Sequence, residues 1–372
     1  MSTNKSLFAL SKELEKRNLP DVLIKADGEV VETKEAWEKE LRGHWLKLLR
    51  EHEYGTPPPY VQPEVSTLTN VVNFAGKAVW ETVTFTFTVN GKSHSFPTQL
   101  IYPVGAKKVP FFIYLNFRPD IPDRYLPVEE LIDNGFGIFS VCYNDITKDN
   151  DDFSDGLAGL FEGETRGESA TGKIGYWSYA ASRMMDYLLA RPEADPTAIG
   201  IAGHSRLGKT ALLTGAQDER FAFVCSNNSG CSGAAISRHP SQTGEKIEDI
   251  CRKFPYWFCP KYKGYVRNEE ALPFDQHCLI AMMAPRAVFI GAAIEDLWAD
   301  NDNQFLSCLA ASKVWGLYGE VGLVTPDTMP QCGDTRTDGN VGFHLRKGTH
   351  FHSRTDWLVY MDAVKKYINR AR

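Results

Sequence analysis

From Pro110 onward the chain alternates short, unbroken apolar runs with longer helix-like stretches, and few architectures accept that pattern. The runs are Phe111–Leu115, Phe136–Tyr143, Ile199–Ala202, Phe221–Cys225 and Ala287–Ala293. A strand with one wet face alternates polar and apolar residues; these do not, so they read as strands buried on both faces. The spacers Tyr176–Ala190 and Asn303–Tyr318 read as crossover helices. Together they predict a mostly parallel central sheet with helices on both faces. Upstream, Val83, Phe85, Phe87 and Val89 alternate with threonines, and Asn90-Gly91 supplies a two-residue turn. That predicts an antiparallel N-terminal hairpin with one arm on the core and the other toward solvent. Residues Thr33–His52 place Trp37, Leu41, Trp45, Leu48 and Leu49 near helical spacing, before Gly55 and Pro57–Pro59 end the helix. The expected organisation is a helical N-terminal extension, 1–75, packed on one α/β domain, 76–372. An aromatic-rich insertion, 231–285, is expected to cap the carboxyl edge of the sheet, where ligands of α/β folds bind.

The segment Ile199-Gly-Ile-Ala-Gly-His-Ser-Arg-Leu-Gly-Lys209 carries the chemistry. A buried strand enters Gly203-His204-Ser205-Arg206 and passes at once into a helix, Leu207–Gly215. So sharp a turn strains the backbone at Ser205 and lifts its hydroxyl above the sheet, the nucleophile elbow of an α/β-hydrolase fold. The usual pattern is G-x-S-x-G; here the second glycine falls one place later, at Gly208. Serine needs a base held by an acid, and in this fold the chain order is Ser, acid, His. After the run Ala287–Ala293 comes Ile294-Glu-Asp-Leu-Trp-Ala-Asp300, and after Val341–Arg346 comes Gly348-Thr-His-Phe-His352. Ser205, Asp296 and His350 are therefore the expected triad, with Glu295 and Asp300 as alternative acids and His352 as the alternative base. His204 is expected to pack in the elbow. Two oxyanion donors are expected, the Arg206 N–H and one from the loop holding Phe117 and Arg118.

Other classes fit less well. A net charge of −6 offers no positive field for nucleic acid or anionic lipid, and no apolar run nears the ~20 residues that span a bilayer. The opening Met1-Ser-Thr-Asn-Lys-Ser lacks a secretory pattern. With eight scattered cysteines and no C-x-x-C, a reducing cytoplasm is expected. Asp149–Gly156 resembles half a calcium loop, yet it lacks the bidentate Glu at loop position twelve and flanking helices, so no metal is expected. No cofactor motif is present.

The elbow Gly203-His-Ser-Arg-Leu-Gly-Lys209 resembles the glucuronoyl esterases of carbohydrate esterase family 15, whose elbow reads G-[CH]-S-R-x-G-K. The likeness runs from about Lys77 to Ile368 and includes Asn116-Phe-Arg-Pro, Asn228-Ser-Gly and Leu297-Trp298. The resemblance implies a cofactor-free serine esterase that cleaves 4-O-methyl-glucuronate esters on xylan from lignin-type alcohols. It implies that Arg206 steadies the oxyanion, that Lys209 reads sugar hydroxyls, and that Trp298 flanks the sugar. Trp257 is placed with them on the substrate. Fungal members carry their acid as a Glu where this chain has Asn228, which moves the acid to Asp296, as in some bacterial members. Their sugar-contacting Gln and Glu have no clear equivalents around Lys246 and Phe254. The alternatives are a sugar O-acetyl esterase, acting for instance on acetylxylan, and a non-catalytic carbohydrate-binding relic of the fold.

Overall fold

Unbroken apolar runs become the inner strands of one sheet in the computed structural model, which describes residues 4–163 and 165–371. The strands are β1 (Glu64–Asn73), β2 (Ala78–Val89), β3 (Lys92–Pro103), β4 (Val109–Asn116), β5 (Gly137–Cys142), β6 (Ala194–His204), β7 (Phe223–Asn227), β8 (Ala287–Ala293), β9 (Thr335–Arg336) and β10 (Val341–Arg346). Their order is β1-β2-β3-β5-β4-β6-β7-β8-β10-β9. From β5 to β10 neighbours run parallel, with β6 beside β4 and β7, and β8 beside β7 and β10. Every residue of β5, β7, β8 and β10 is buried, as the missing polar alternation requires. The carboxyl ends of β6, β7, β8 and β10 therefore share one rim. This is the α/β-hydrolase arrangement.

The hairpin turns at Asn90 and Gly91, both at positive φ, and pairs β2 with β3 from Val89↔Lys92 to Ala78↔Pro103. The expected division into a core arm and a solvent arm is corrected. Val83, Phe85 and Phe87 of β2 are buried, and so are Phe96, Leu100 and Ile101 of β3. Both arms lie in the sheet and turn alternate side chains to the same core face, where Phe85 stacks on its cross-strand partner Phe96.

The extension boundary at 75 is also corrected, because β1 lies inside it and pairs antiparallel with β2, Glu64 opposite Thr86. This edge strand leaves Val65 and Leu68 exposed, so its described side chains carry no buried apolar stripe. Upstream, the helical run Lys34–Tyr54 buries Trp37, Leu41, Trp45 and Leu49, while Leu48 is only partly covered. Four-residue spacing overshoots a 3.6-residue turn. A wider π-helical turn at Trp37–Leu41 takes up part of the difference, and a second, Arg50–Tyr54, follows Leu49. Of the opening hexapeptide, Met1–Thr3 lie outside the described residues, as does Arg372.

The second π turn drives Glu53 into the interior, where it is fully buried and accepts from Gln276 Nε2 at 3.1 Å. Burial pushes its carboxyl up to about 8 from the ordinary 4.5. The folded protein thus keeps a proton that the unfolded chain sheds above about pH 4.5, so stability falls as pH rises from there to about 8. In Glu53→Gln the amide can meet Gln276 Oε1, a buried atom with no partner. Melting temperatures of the two proteins are expected to lie close at pH 4.5, with the variant well above the parent at pH 8.5. A gap that does not widen with pH contradicts this.

Candidate active site

Strand β6 delivers Ser205, and the backbone there is strained as the elbow requires. Its φ is 58° and ψ −126°, outside the regions that L-residues favour. Gly203 permits the turn: a Cβ there would lie 2.1 Å from the Leu207 carbonyl oxygen. Backbone bonds hold the conformation, with Ser205 N–H donating to Asn227 O at 2.8 Å and Gly208 N–H to Ser205 O at 2.9 Å. The helix Arg206–Gln217 starts immediately, so its positive end faces whatever sits at the serine.

Past β8, Asp296 is buried and accepts from His350 Nδ1 at 2.6 Å. A carboxylate only accepts, so Nδ1 carries the proton and Nε2 keeps its lone pair. Glu295 is exposed, and only its backbone is engaged, donating to Gly348 O at 3.0 Å. Asp300 is spent as a helix cap: it accepts from the backbone of Ser241 and Asn303. Of the three acidic residues, Asp296 alone has its side chain on the imidazole.

His350 rides on the loop after β10, and Arg346 holds that loop. Its guanidinium donates to Lys347 O at 3.0 Å, to Thr349 O at 3.3 Å and to Phe351 O, thereby gripping both residues that flank His350. Asp356 anchors the guanidinium from below at 2.7 Å and also takes His344 Nε2 and the Ser353 backbone. Burial would raise the Asp356 carboxyl, but the His344 hydrogen bond and the nearby cations hold it far below the usual range. The other imidazoles are structural. His352 is buried between Tyr114, bonded at 3.1 Å, and the Trp357 ring; burial pushes it down to about 4. His204 lies beneath His350, with ring centroids 4.5 Å apart, bonded to Asn227 and held neutral by burial.

Ser205, His350 and Asp296 share a cavity of about 320 Å³ with Arg206, Lys209, Asn228, Glu245, Phe254, Trp257 and Trp298. Phe254 and Trp257 stack at 4.0 Å, and the Arg206 guanidinium lies 4.6 Å from the indole. Both aromatic residues come from the segment 231–285. Trp298 stands at the rim, 42% exposed, with Lys253 Nζ 4.9 Å from its ring. Lys209 is buried: its Nζ donates to Ser229 O at 2.6 Å and Cys231 O at 2.5 Å, and pairs with Glu245 at 3.5 Å.

Two oxyanion expectations are corrected. The Phe117 N–H is given to Asn116 Oδ1 at 2.8 Å, because the buried Asn116 side chain folds back on its own loop. The Arg118 side chain is exposed and lies off the cavity wall. Arg206 offers a donor in their place: the residue lines the cavity, and its Nε is buried with no hydrogen-bond partner among the described residues. Sequence reasoning also missed Glu245, next to the Lys246 position where no acid contact was recognised. Nothing local marks it, since its backbone N–H is fixed by Trp298 O, distant in sequence. Asn228 was noted only as a missing acid. Asn228 lines the cavity, and neither end of its buried amide has a partner among the described residues.

Comparison with known proteins agrees with this geometry. A family model described as glucuronyl esterase, fungi, matches residues 85–319. The chain is 30% identical to carbohydrate esterase MZ0003 of an unknown prokaryotic organism, covering 94% of this chain and 89% of that one. It is 30% identical to a 4-O-methyl-glucuronoyl methylesterase of Schizophyllum commune, with 95% and 82% covered. Among solved structures it resembles a glucuronoyl esterase from Solibacter usitatus, with a TM-score of 0.85, 31% identity, and 94% and 97% covered.

Proposed function

The chain belongs to the glucuronoyl esterase family, and we propose that Ser205, His350 and Asp296 carry out its hydrolysis of glucuronoyl esters. It is a carboxylic ester hydrolase acting on a carbohydrate ester. The observation that supports this assignment of roles best is the 2.6 Å bond between buried Asp296 and His350 Nδ1, on a cavity shared with a strained Ser205.

The His350 Nε2 lone pair takes the Ser205 proton as Oγ forms a bond to the uronoyl carbonyl carbon. The negative charge that gathers on the carbonyl oxygen is met by the Arg206 backbone N–H, free of an intrahelical acceptor at the helix start, and by its Nε. Collapse breaks the ester bond, and the alcohol leaves with the proton from His350. Water, deprotonated by the same imidazole, then attacks the acyl carbon; the bond to Oγ breaks, Oγ takes the proton back from His350, and the uronic acid is released. Glu245, held by Lys209, offers an acceptor for sugar hydroxyls, and Trp298 offers a half-open indole face to a pyranose.

Benzyl glucuronate and p-nitrophenyl acetate separate this reading from an acetyl esterase. The expected result is a far larger kcat/KM on the uronate ester; turnover of the acetate alone would refute the uronoyl assignment.

A further inference from the structure

Asp149 opens the acidic stretch that looks like half a calcium loop, yet its side chain points to the elbow. Its Oδ2 pairs with Arg206 Nη1 and accepts from the Tyr143 hydroxyl at 3.1 Å. Its Oδ1 accepts from Trp257 Nε1 at 2.6 Å. The Tyr256 hydroxyl donates to its backbone oxygen at 3.0 Å, which fixes the loop itself. One carboxylate thus joins the residue after the nucleophile to the wall of the insertion.

A guanidinium is a flat fork, and pinning one corner while an aromatic plane supports its face leaves little rotation. Nη1 is pinned by Asp149, the face lies by Trp257 and Phe254, and Nε remains a buried donor with no partner among the described residues, on a side chain that lines the cavity. We propose that Asp149 is a positioning residue for catalysis, holding Arg206 so that its Nε–H meets the developing oxyanion. The proposal rests on the role given to Arg206 above. Neutralising part of the Arg206 charge weakens its field, but a fixed donor needs no reorganisation when the charge forms.

A double-mutant cycle tests this. If Asp149 acts through Arg206, the two substitutions do not multiply. On benzyl glucuronate, Arg206→Met is expected to lower kcat about 100-fold and Asp149→Asn about 10-fold, with smaller changes in KM. The double variant is expected to match Arg206→Met within about threefold. Asp149→Asn keeps an acceptor for Trp257, and Asp149→Glu, which restores the charge, is expected to recover part of kcat. Losses that multiply, or an unchanged kcat in Asp149→Asn, would overturn the proposal. If Asp149→Asn does not fold, the cycle is run with Asp149→Glu, and multiplied losses again overturn it. Should the parent enzyme hydrolyse only p-nitrophenyl acetate, the uronoyl reading fails, but the same cycle on the acetate still decides the role of Asp149.

Discussion

Ser205→Ala is expected to lower kcat about 10⁴- to 10⁶-fold on a glucuronate ester, while the melting temperature stays within a few degrees of the parent. The two halves of this expectation have separate causes. Chemistry is lost because no other hydroxyl stands at the tip of the elbow, above the start of the helix Arg206–Gln217. Stability is kept because the Ser205 side chain does not cap that helix. The strained turn is held by backbone bonds to Asn227 and Gly208 and by the close approach that Gly203 allows. Steady-state kinetics and a thermal melt on the same preparation check both. A variant retaining a tenth of the parent kcat would contradict the nucleophile assignment.

Asp296→Asn is expected to cost about 10⁴ in kcat, against no more than a few-fold for Glu295→Gln. The carboxylate of Asp296 fixes the proton on Nδ1 of His350. An amide can present its NH₂ to that nitrogen instead, which moves the proton to Nε2 and removes the lone pair that Ser205 needs. Glu295 is adjacent in sequence, but its side chain is exposed and its backbone bond to Gly348 survives substitution. Kinetics of the two variants measured side by side check the choice; a larger loss in Glu295→Gln would reverse it.

What could be read from the residues was local. Strands β5, β7, β8 and β10 are buried on both faces, so unbroken apolar runs mark them. The elbow compresses strand, nucleophile and helix into a few residues with a glycine where no Cβ fits. The order of Ser205, Asp296 and His350 follows from the parallel topology, which puts their strand ends on one rim. Features set by distant partners could not be read. The described side chains of edge strand β1 bury no apolar stripe. Glu245 meets Lys209 only after the insertion folds over the rim, and Asp149 meets Arg206 only when the loop after β5 closes on the elbow. The Phe117 N–H is taken by the folded-back Asn116 side chain, a contact that residue order does not mark. The spacing of Trp37, Leu41, Trp45 and Leu49 signalled a helix but not the π turn at Trp37–Leu41.

Peptide mapping after treatment with a fluorophosphonate probes the convergence of hydroxyl, imidazole and carboxylate most directly, since the reagent needs an activated serine rather than a particular sugar. The result expected is a single phosphonyl group on Ser205 in the parent enzyme, with labelling slowed by orders of magnitude in His350→Ala. A folded, ester-hydrolysing protein whose Ser205 stays unmodified, or whose labelling is indifferent to His350, would contradict the account.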